Sequence, residues 1–390
     1  MLPYLLRLTL WLALPITLLS LLMPALGQMN PRRDWIVYVL GQQEIVTLHD
    51  LERHFSAPIP GFPNTFTLDL NAHGELAYAG SADDQNDVRI FNVHSSVNNP
   101  QVIYTAPAST RFYQFYWSPD GHYLAFVGSE DNQGARVFVW NGEMVVSVNP
   151  PGLVDDVNFV RWSPDNRLAF RMRPLGQVEG RSFPSEVYIW DGQQTLNLSQ
   201  TPDQDDYPFG WSRDGRLAYV SYGLRYGDTS SVLIWNGENS TLVFSDVSGF
   251  FTLYWNAENE LTLSVAQPDA SSLFQIYRRH GEQIINISPD ANRGYAFQRW
   301  SQDGRWAVSV MNQAGYEADS IQVRNDDQQL LLDVPGILYP IWTEAGSLLF
   351  CQRQPQSVVL QRWDGERIRP VVQGTFINMR MPNGRSLVCQ

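Results

Sequence analysis

An all-β chain of repeated four-stranded sheets is what this sequence predicts, and three observations predict it. First, a five-residue turn motif recurs in register. It reads Trp117-Ser118-Pro119-Asp120-Gly121, Trp162-Ser163-Pro164-Asp165-Asn166, Trp211-Ser212-Arg213-Asp214-Gly215 and Trp300-Ser301-Gln302-Asp303-Gly304. Weaker copies stand at Trp255-Asn256-Ala257-Glu258-Asn259 and Trp342-Thr343-Glu344-Ala345-Gly346, and successive Trp residues are 45, 49, 44, 45 and 42 positions apart. Second, an apolar segment ending in Trp-Asn-Gly or Trp-Asp-Gly falls between these motifs, at Trp140-Asn141-Gly142, Trp190-Asp191-Gly192 and Trp235-Asn236-Gly237, and again at Trp363-Asp364-Gly365. Third, no long apolar segment of period 3.6 follows Gly27, so helices are not expected. Two hairpins per period of about 40–45 residues are the content of one blade of a β-propeller.

Each element has a chemical reason. Pro presets φ at the first central position of the turn, Asp bonds back to its own backbone, and Gly tolerates positive φ. An apolar strand follows each copy, as in Leu124-Ala125-Phe126-Val127 and Leu217-Ala218-Tyr219-Val220. Asn-Gly and Asp-Gly between apolar runs signal the second hairpin. The ends complete the pattern. Trp35 to Gly41 resembles a second hairpin with no first one before it, and Phe376 to Cys389 a first hairpin with nothing after it. Joined, they would make one shared blade and hide two strand edges. The predicted fold is therefore a propeller of eight four-stranded blades, closed by pairing of the N- and C-terminal hairpins. The number is seven if the degenerate copy at Leu70 to Gly74 is not a blade of its own. Residues 34–390 read as a single domain.

The 390 residues carry a formal net charge of −13, and 13% are aromatic. That balance argues against a nucleic-acid partner, which needs clustered Lys and Arg, and against attraction to anionic lipid. Leu8 to Leu26 carry no charge after Arg7, and Ala25-Leu26-Gly27 offers small residues at the positions a signal peptidase reads. Residues 1–27 thus read as a secretory signal peptide or an N-terminal membrane anchor. Both readings put the rest of the chain outside the cytoplasm, periplasmic, secreted or held at a membrane by that segment alone. Cys351 and Cys389 occupy the same place in the similar segments LLFCQ and SLVCQ. They are either two buried strand residues or a disulfide, which requires an oxidising compartment.

The Trp-Ser-Pro-Asp-Gly hairpin followed by Leu-Ala-Phe resembles the WD40-like PD40 repeat of TolB-type propellers, over nearly all of the chain past residue 34. The resemblance implies an extracytoplasmic propeller that serves as a platform for binding protein.

Chemistry-bearing motifs are sparse. A Gly-x-Ser-x-Gly nucleophile elbow is absent, which argues against an attached hydrolase domain. The six His residues, His49, His54, His73, His94, His122 and His280, show no metal-ligand spacing, so neither a metal nor another cofactor is expected. The Asp-rich stretches at Asp83 to Asp87 and Asp203 to Asp206 read as solvated loops. The informative positions are the loops leading into each inner strand, which surround the central channel on one face. Six residues before the repeat Trp stand Arg111, Asp156 and Asp205. Beside them lie Phe112, Tyr113, Asp155, Asp206, Tyr207, Phe250, Phe251, Arg293, Tyr295 and Tyr339. Aromatics with a few charges around a concavity suit recognition of a protein, peptide or glycan by a monomeric binding module. The same aromatics would also serve as packing between blades. Two other functions fit the pattern: a propeller hydrolase or lyase with Asp155, Asp156, Asp205 and Asp206 as acid and base, and a purely structural envelope protein.

Overall fold

A computed structural model of the chain describes residues 35–390, apart from 41–42, 52–54, 59–67, 72–74, 82–86, 94–100, 108, 130–133, 156–159, 175–176, 179–180, 225–229, 248–250, 268–269, 312–317, 336, 382–385 and 390. The segment 1–27 lies outside the described residues, as do His54, His73 and His94. No helix among the described residues is long and apolar enough to cross a membrane.

The secondary structure is all β and forms a propeller. Seven blades are each built from one unbroken stretch of chain: blade 1 over 68–107, blade 2 over 111–147, blade 3 over 153–197, blade 4 over 204–247, blade 5 over 251–286, blade 6 over 295–335 and blade 7 over 337–374. The degenerate copy at Leu70 therefore heads a full four-stranded sheet. A further sheet joins the two chain ends and closes the ring. Trp35–Leu40 pairs antiparallel with Ile377–Arg380, with Val37 opposite Arg380 and Leu40 opposite Ile377. The sheet has five strands, because Phe55–Pro58 extends one side and the C-terminal strand Ser386–Cys389 lies beyond Ile377–Arg380 on the other.

Within a blade the first strand is innermost, and the inner strands contact one another in succession around the ring. The second strand of each blade is buried on both faces: every residue of Leu124–Ser129 is buried, as are Leu168 to Met172, Leu217 to Ser221 and Trp306 to Val310. A strand covered on both sides has no wet face, which is why these segments read as continuous apolar runs rather than alternating ones. The core is correspondingly divided into clusters between blades, such as Ala77, Ala79, Phe115, Trp117, Phe126 and Trp140 between blades 1 and 2.

The motif turns form as their chemistry requires. Gly121, Gly215, Gly304 and Gly346 have φ of 73°, 82°, 83° and 81°, and Asn166 and Asn259 take the same left-handed position at 63° and 62°. Asn is the residue that substitutes for Gly there because it tolerates that conformation. Asp120 Oδ1 accepts the Ser118 hydroxyl at 2.6 Å and the His122 amide at 3.0 Å. Cys351 and Cys389 form a disulfide, with Cα atoms 5.6 Å apart. The bond ties the second strand of blade 7 to the C-terminal strand of the closing sheet.

Candidate functional site

Successive strands of each blade are antiparallel, so the loops leading into the inner strands share one rim with the connections between second and third strands. Both families of tight turns lie on the opposite rim.

On the first rim, Arg111 and Tyr113 begin the inner strand Arg111–Trp117 and are exposed, Tyr113 by 38%. Strand alternation sends Phe112 the other way. It packs in a nest of rings, with centroids 6.1 Å from Tyr104, 6.2 Å from Phe115 and 5.8 Å from Phe126. Tyr295 is buried, at 2% exposure, within the cluster holding Ile276, Trp300 and Trp306. Phe112 and Tyr295 therefore act as inter-blade packing instead of presenting a face to a ligand. Arg293 is exposed and pairs with Asp319 at 3.1 Å. The strands Leu153–Asp155, Phe251–Trp255 and Ile337–Trp342 place the backbones of Asp155, Phe251 and Tyr339 on the inner strands. The side chains of these three residues, and Asp156 and Phe250 entirely, lie outside the described residues.

The most ordered constellation is at the junction of blades 3 and 4. Arg171 on Leu168–Pro174 sends Nη2 to Asp205, 3.0 Å from Oδ1 and 3.3 Å from Oδ2. Its guanidinium lies 3.8 Å from the Tyr207 ring centroid, and the Tyr207 hydroxyl donates to Asp205 Oδ2 at 2.9 Å. The Ser185 amide donates to Asp205 Oδ1 at 2.9 Å, and Tyr222 stands edge-on to Tyr207 at 5.2 Å. Arg171 is buried, so its charge has been taken out of water and depends on this carboxylate and ring for compensation. Asp206 has no solvent exposure. Its carboxylate accepts the Thr201 and Ser221 hydroxyls, and its amide donates to the Ser185 carbonyl at 2.8 Å. Burial pushes the Asp206 carboxyl up from the usual aspartate value, against the opposing pull of hydroxyl donors from Ser221, Thr201 and Ser199. The pair of neighbours thus divides its work: Asp205 clamps two blades through an arginine, and Asp206 is sealed beneath it. Arg171 is absent from the sequence-derived set. Its signal was there, a charged residue interrupting the apolar run Leu168-Ala169-Phe170 and Met172.

The opposite rim is built by the repeat motif itself. Five of the six motif Trp residues donate their indole N–H to an inner-strand carbonyl of the preceding blade: Trp117 to Asp69 at 3.3 Å, Trp162 to Tyr116 at 2.8 Å, Trp211 to Arg161 at 3.0 Å, Trp255 to Gly210 at 2.9 Å and Trp342 to Arg299 at 3.1 Å; Trp300 donates instead to the Thr262 hydroxyl on the second strand of blade 5 at 2.8 Å. The Arg that follows three of the turns reaches forward. Arg305 pairs with Asp303 of its own turn, donates to the Gly346 carbonyl of the next at 2.7 Å, and lies 5.0 and 5.2 Å from the Trp342 and Trp363 rings. Arg167 does the same with Asp165, Gly215, Trp211 and Trp235. Tyr123 replaces it after the first complete motif and stacks on Trp162. A groove of about 660 Å³ between blades 2 and 3 on this rim is lined by Tyr123, Trp190, Glu143, Asn149, Gln193 and Thr195. Asn149 there is committed to the Val137 amide and the Leu153 carbonyl. Among the described residues, no group of three or more His, Cys, Asp or Glu is placed to hold a metal ion.

No family model matches the chain, and no curated protein does either. Solved structures do match in fold. Porphyromonas gingivalis dipeptidyl peptidase 4 superposes with a TM-score of 0.64 at 12% identity, over 91% of this chain and 61% of that one. Prolyl oligopeptidase B from Galerina marginata, with a substrate bound, gives 0.58 at 10% identity, over 93% and 53%. A prolyl endopeptidase gives 0.52 at 12% identity, over 92% and 52%. The chain thus spans between half and two thirds of the length of these proteins, and the likeness shows a propeller like the propeller domains of such peptidases.

Proposed function

We propose that this chain is an exported, non-enzymatic propeller whose rim around the central channel binds a protein, peptide or glycan. The observation that carries the reading is the state of two rim carboxylates, Asp205 and Asp206. A hydrolase or lyase needs an acid and a base that can meet a substrate, with separated pKa values. Asp205 is held by a guanidinium, a phenol and an amide, and Asp206 is sealed from solvent. Exposed Arg111 and Tyr113 have the character of recognition residues instead, a cation and an amphipathic ring on a rigid strand. Export is supported by the uncharged stretch from Leu8 to Leu26 and by the disulfide, which persists in oxidising compartments.

Arrays of peptides and glycans probed with residues 28–390 test this. Wild type is expected to give a restricted set of ligands, and Arg111→Ala with Tyr113→Ala to weaken them at least tenfold with an unchanged melting temperature. An identical binding profile for the double variant would remove this rim from the site.

A further inference from the structure

On the turn rim, the residue that follows the motif turn decides how each blade meets the next. In blades 3, 4 and 6 it is Arg167, Arg216 and Arg305. Their guanidiniums lie 5.0, 5.1 and 5.0 Å from the rings of Trp211, Trp255 and Trp342, the motif Trp of the following blade. Each also donates to a carbonyl of the following turn, Gly215 at 3.0 Å, Asn259 at 3.0 Å and Gly346 at 2.7 Å. In blade 5 the position is Glu260, and Arg278 on the third strand brings a guanidinium to 5.9 Å from the Trp300 ring. Four successive junctions thus lay an arginine on a tryptophan. A guanidinium suits that place because it is attracted to a ring face and keeps its planar fork of donors for hydrogen bonds.

The junction of blades 2 and 3 departs from this. Its residue is Tyr123, which stacks on Trp162 with centroids 5.9 Å apart and stands edge-on to Trp190 at 5.6 Å. Among the described residues, no guanidinium lies over either Trp. The groove of about 660 Å³ opens here, lined by Tyr123, Trp190 and Glu143 with Val146, Pro150 and Gln193. Of the described residues lining it, Glu143 alone is charged. Glu143 is exposed in the turn after Trp140 and forms no ion pair among the described residues. A ring, an unpaired carboxylate and an apolar wall match the three parts of an arginine side chain: its planar cation, its fork of donors and its aliphatic stem.

We propose that this groove is a binding site for the guanidinium of an arginine side chain on a partner peptide or protein. The guanidinium packs against the Tyr123 and Trp190 rings and donates to the Glu143 carboxylate, while its stem lies along Val146 and Pro150. The partner supplies at this junction what Arg167, Arg216, Arg278 and Arg305 supply at the other four. The groove is on the rim opposite Arg111 and Tyr113, so the site stands or falls separately from the platform reading.

Calorimetric titration with the peptide acetyl-Gly-Arg-Gly-amide tests it, beside the same peptide carrying citrulline, which keeps the shape and lacks the charge. Wild type is expected to bind the arginine peptide at least tenfold more tightly than the citrulline one, and to bind it more weakly as salt is raised. Glu143→Gln, a change on an exposed turn, should weaken binding at least fivefold. Tyr123→Arg installs the residue that three other junctions use and should abolish binding by filling the site from within. Both variants should melt as wild type does, and if Tyr123→Arg fails to fold, Glu143→Gln carries the test alone. Arg111→Ala with Tyr113→Ala should leave the peptide affinity unchanged, and a loss in that variant would assign the peptide to the other rim and overturn this site. No binding by wild type would also overturn the proposal, as would equal affinity for the citrulline peptide or undiminished affinity in either folded variant. Cellobiose bound more tightly than the arginine peptide would overturn it in favour of a glycan.

Discussion

At the scale of single residues, charge and position decide roles that residue type leaves open. Asp165, Asp214 and Asp303 are turn residues. Burial raises their pKa values, and the neighbouring Ser hydroxyl and Arg guanidinium outweigh it, so all three are lowered. Their contribution is present above the ordinary aspartate value, near pH 4, and fades as pH falls below it. Asp206 has the opposite sign. Its carboxyl is raised, so the folded state holds a proton that the unfolded chain has released. Its contribution is complete below about pH 4 and is lost as pH rises through the folded value. The melting temperature of wild type relative to Asp206→Asn should therefore fall as pH rises from about 4, and a difference that is flat with pH would show that this carboxyl does not titrate in the fold. The sequence placed Asp205 and Asp206 side by side at the head of an inner strand. It did not say that one would be clamped and the other sealed, because strand alternation and the neighbouring blade decide which way each carboxylate points.

At the scale of elements, the hairpins were legible because their chemistry is local. Positive φ, a Ser-Asp bond and an Asn-Gly turn involve residues within five positions of each other. Legible too was the inner-strand layer, since the Trp spacing repeats, but not what the Trp does there. In five of the six copies its indole N–H leaves its own blade for a carbonyl of the one before. The Arg after the turn runs the other way, across to the next blade. Arg305→Ala removes a bond to the Gly346 carbonyl and two cation–π contacts from a side chain that is largely buried. It should lower unfolding stability by about 1–2 kcal/mol, read by urea denaturation. Arg305→Lys should recover less than half, because an ammonium lacks the planar fork and stacks less well. Full recovery by Lys would reduce the contribution to simple charge.

At the scale of the whole molecule, the ring depends on one seam between the chain's two ends. Trp35–Leu40 against Ile377–Arg380 is a pairing of high sequence separation, and it has to pay for closure of nearly the entire chain. The Cys351–Cys389 disulfide closes a separation of 38 residues and anchors the C-terminal strand to blade 7. In the chain-entropy account, a loop of that length is worth about 4 kcal/mol. Replacing both cysteines by Ser should cost up to about that much in denaturant unfolding, and a dithiol reductant should destabilise wild type and leave the double variant unchanged. Equal response of the two proteins would show that the bond does not form.

The repeat, its turns and the number of strands per period follow from short-range chemistry, and the incomplete hairpin at each end follows from the same repeat, so the amino-acid order by itself determined them. The direction of each inner-strand side chain, the pairing of Arg171 with Asp205, the indole bonds between blades and the joining of the two cysteines came only with the tertiary structure. Each of these joins residues tens of positions apart, on neighbouring or facing blades, and such contacts exist only once the ring has closed and set one blade against the next.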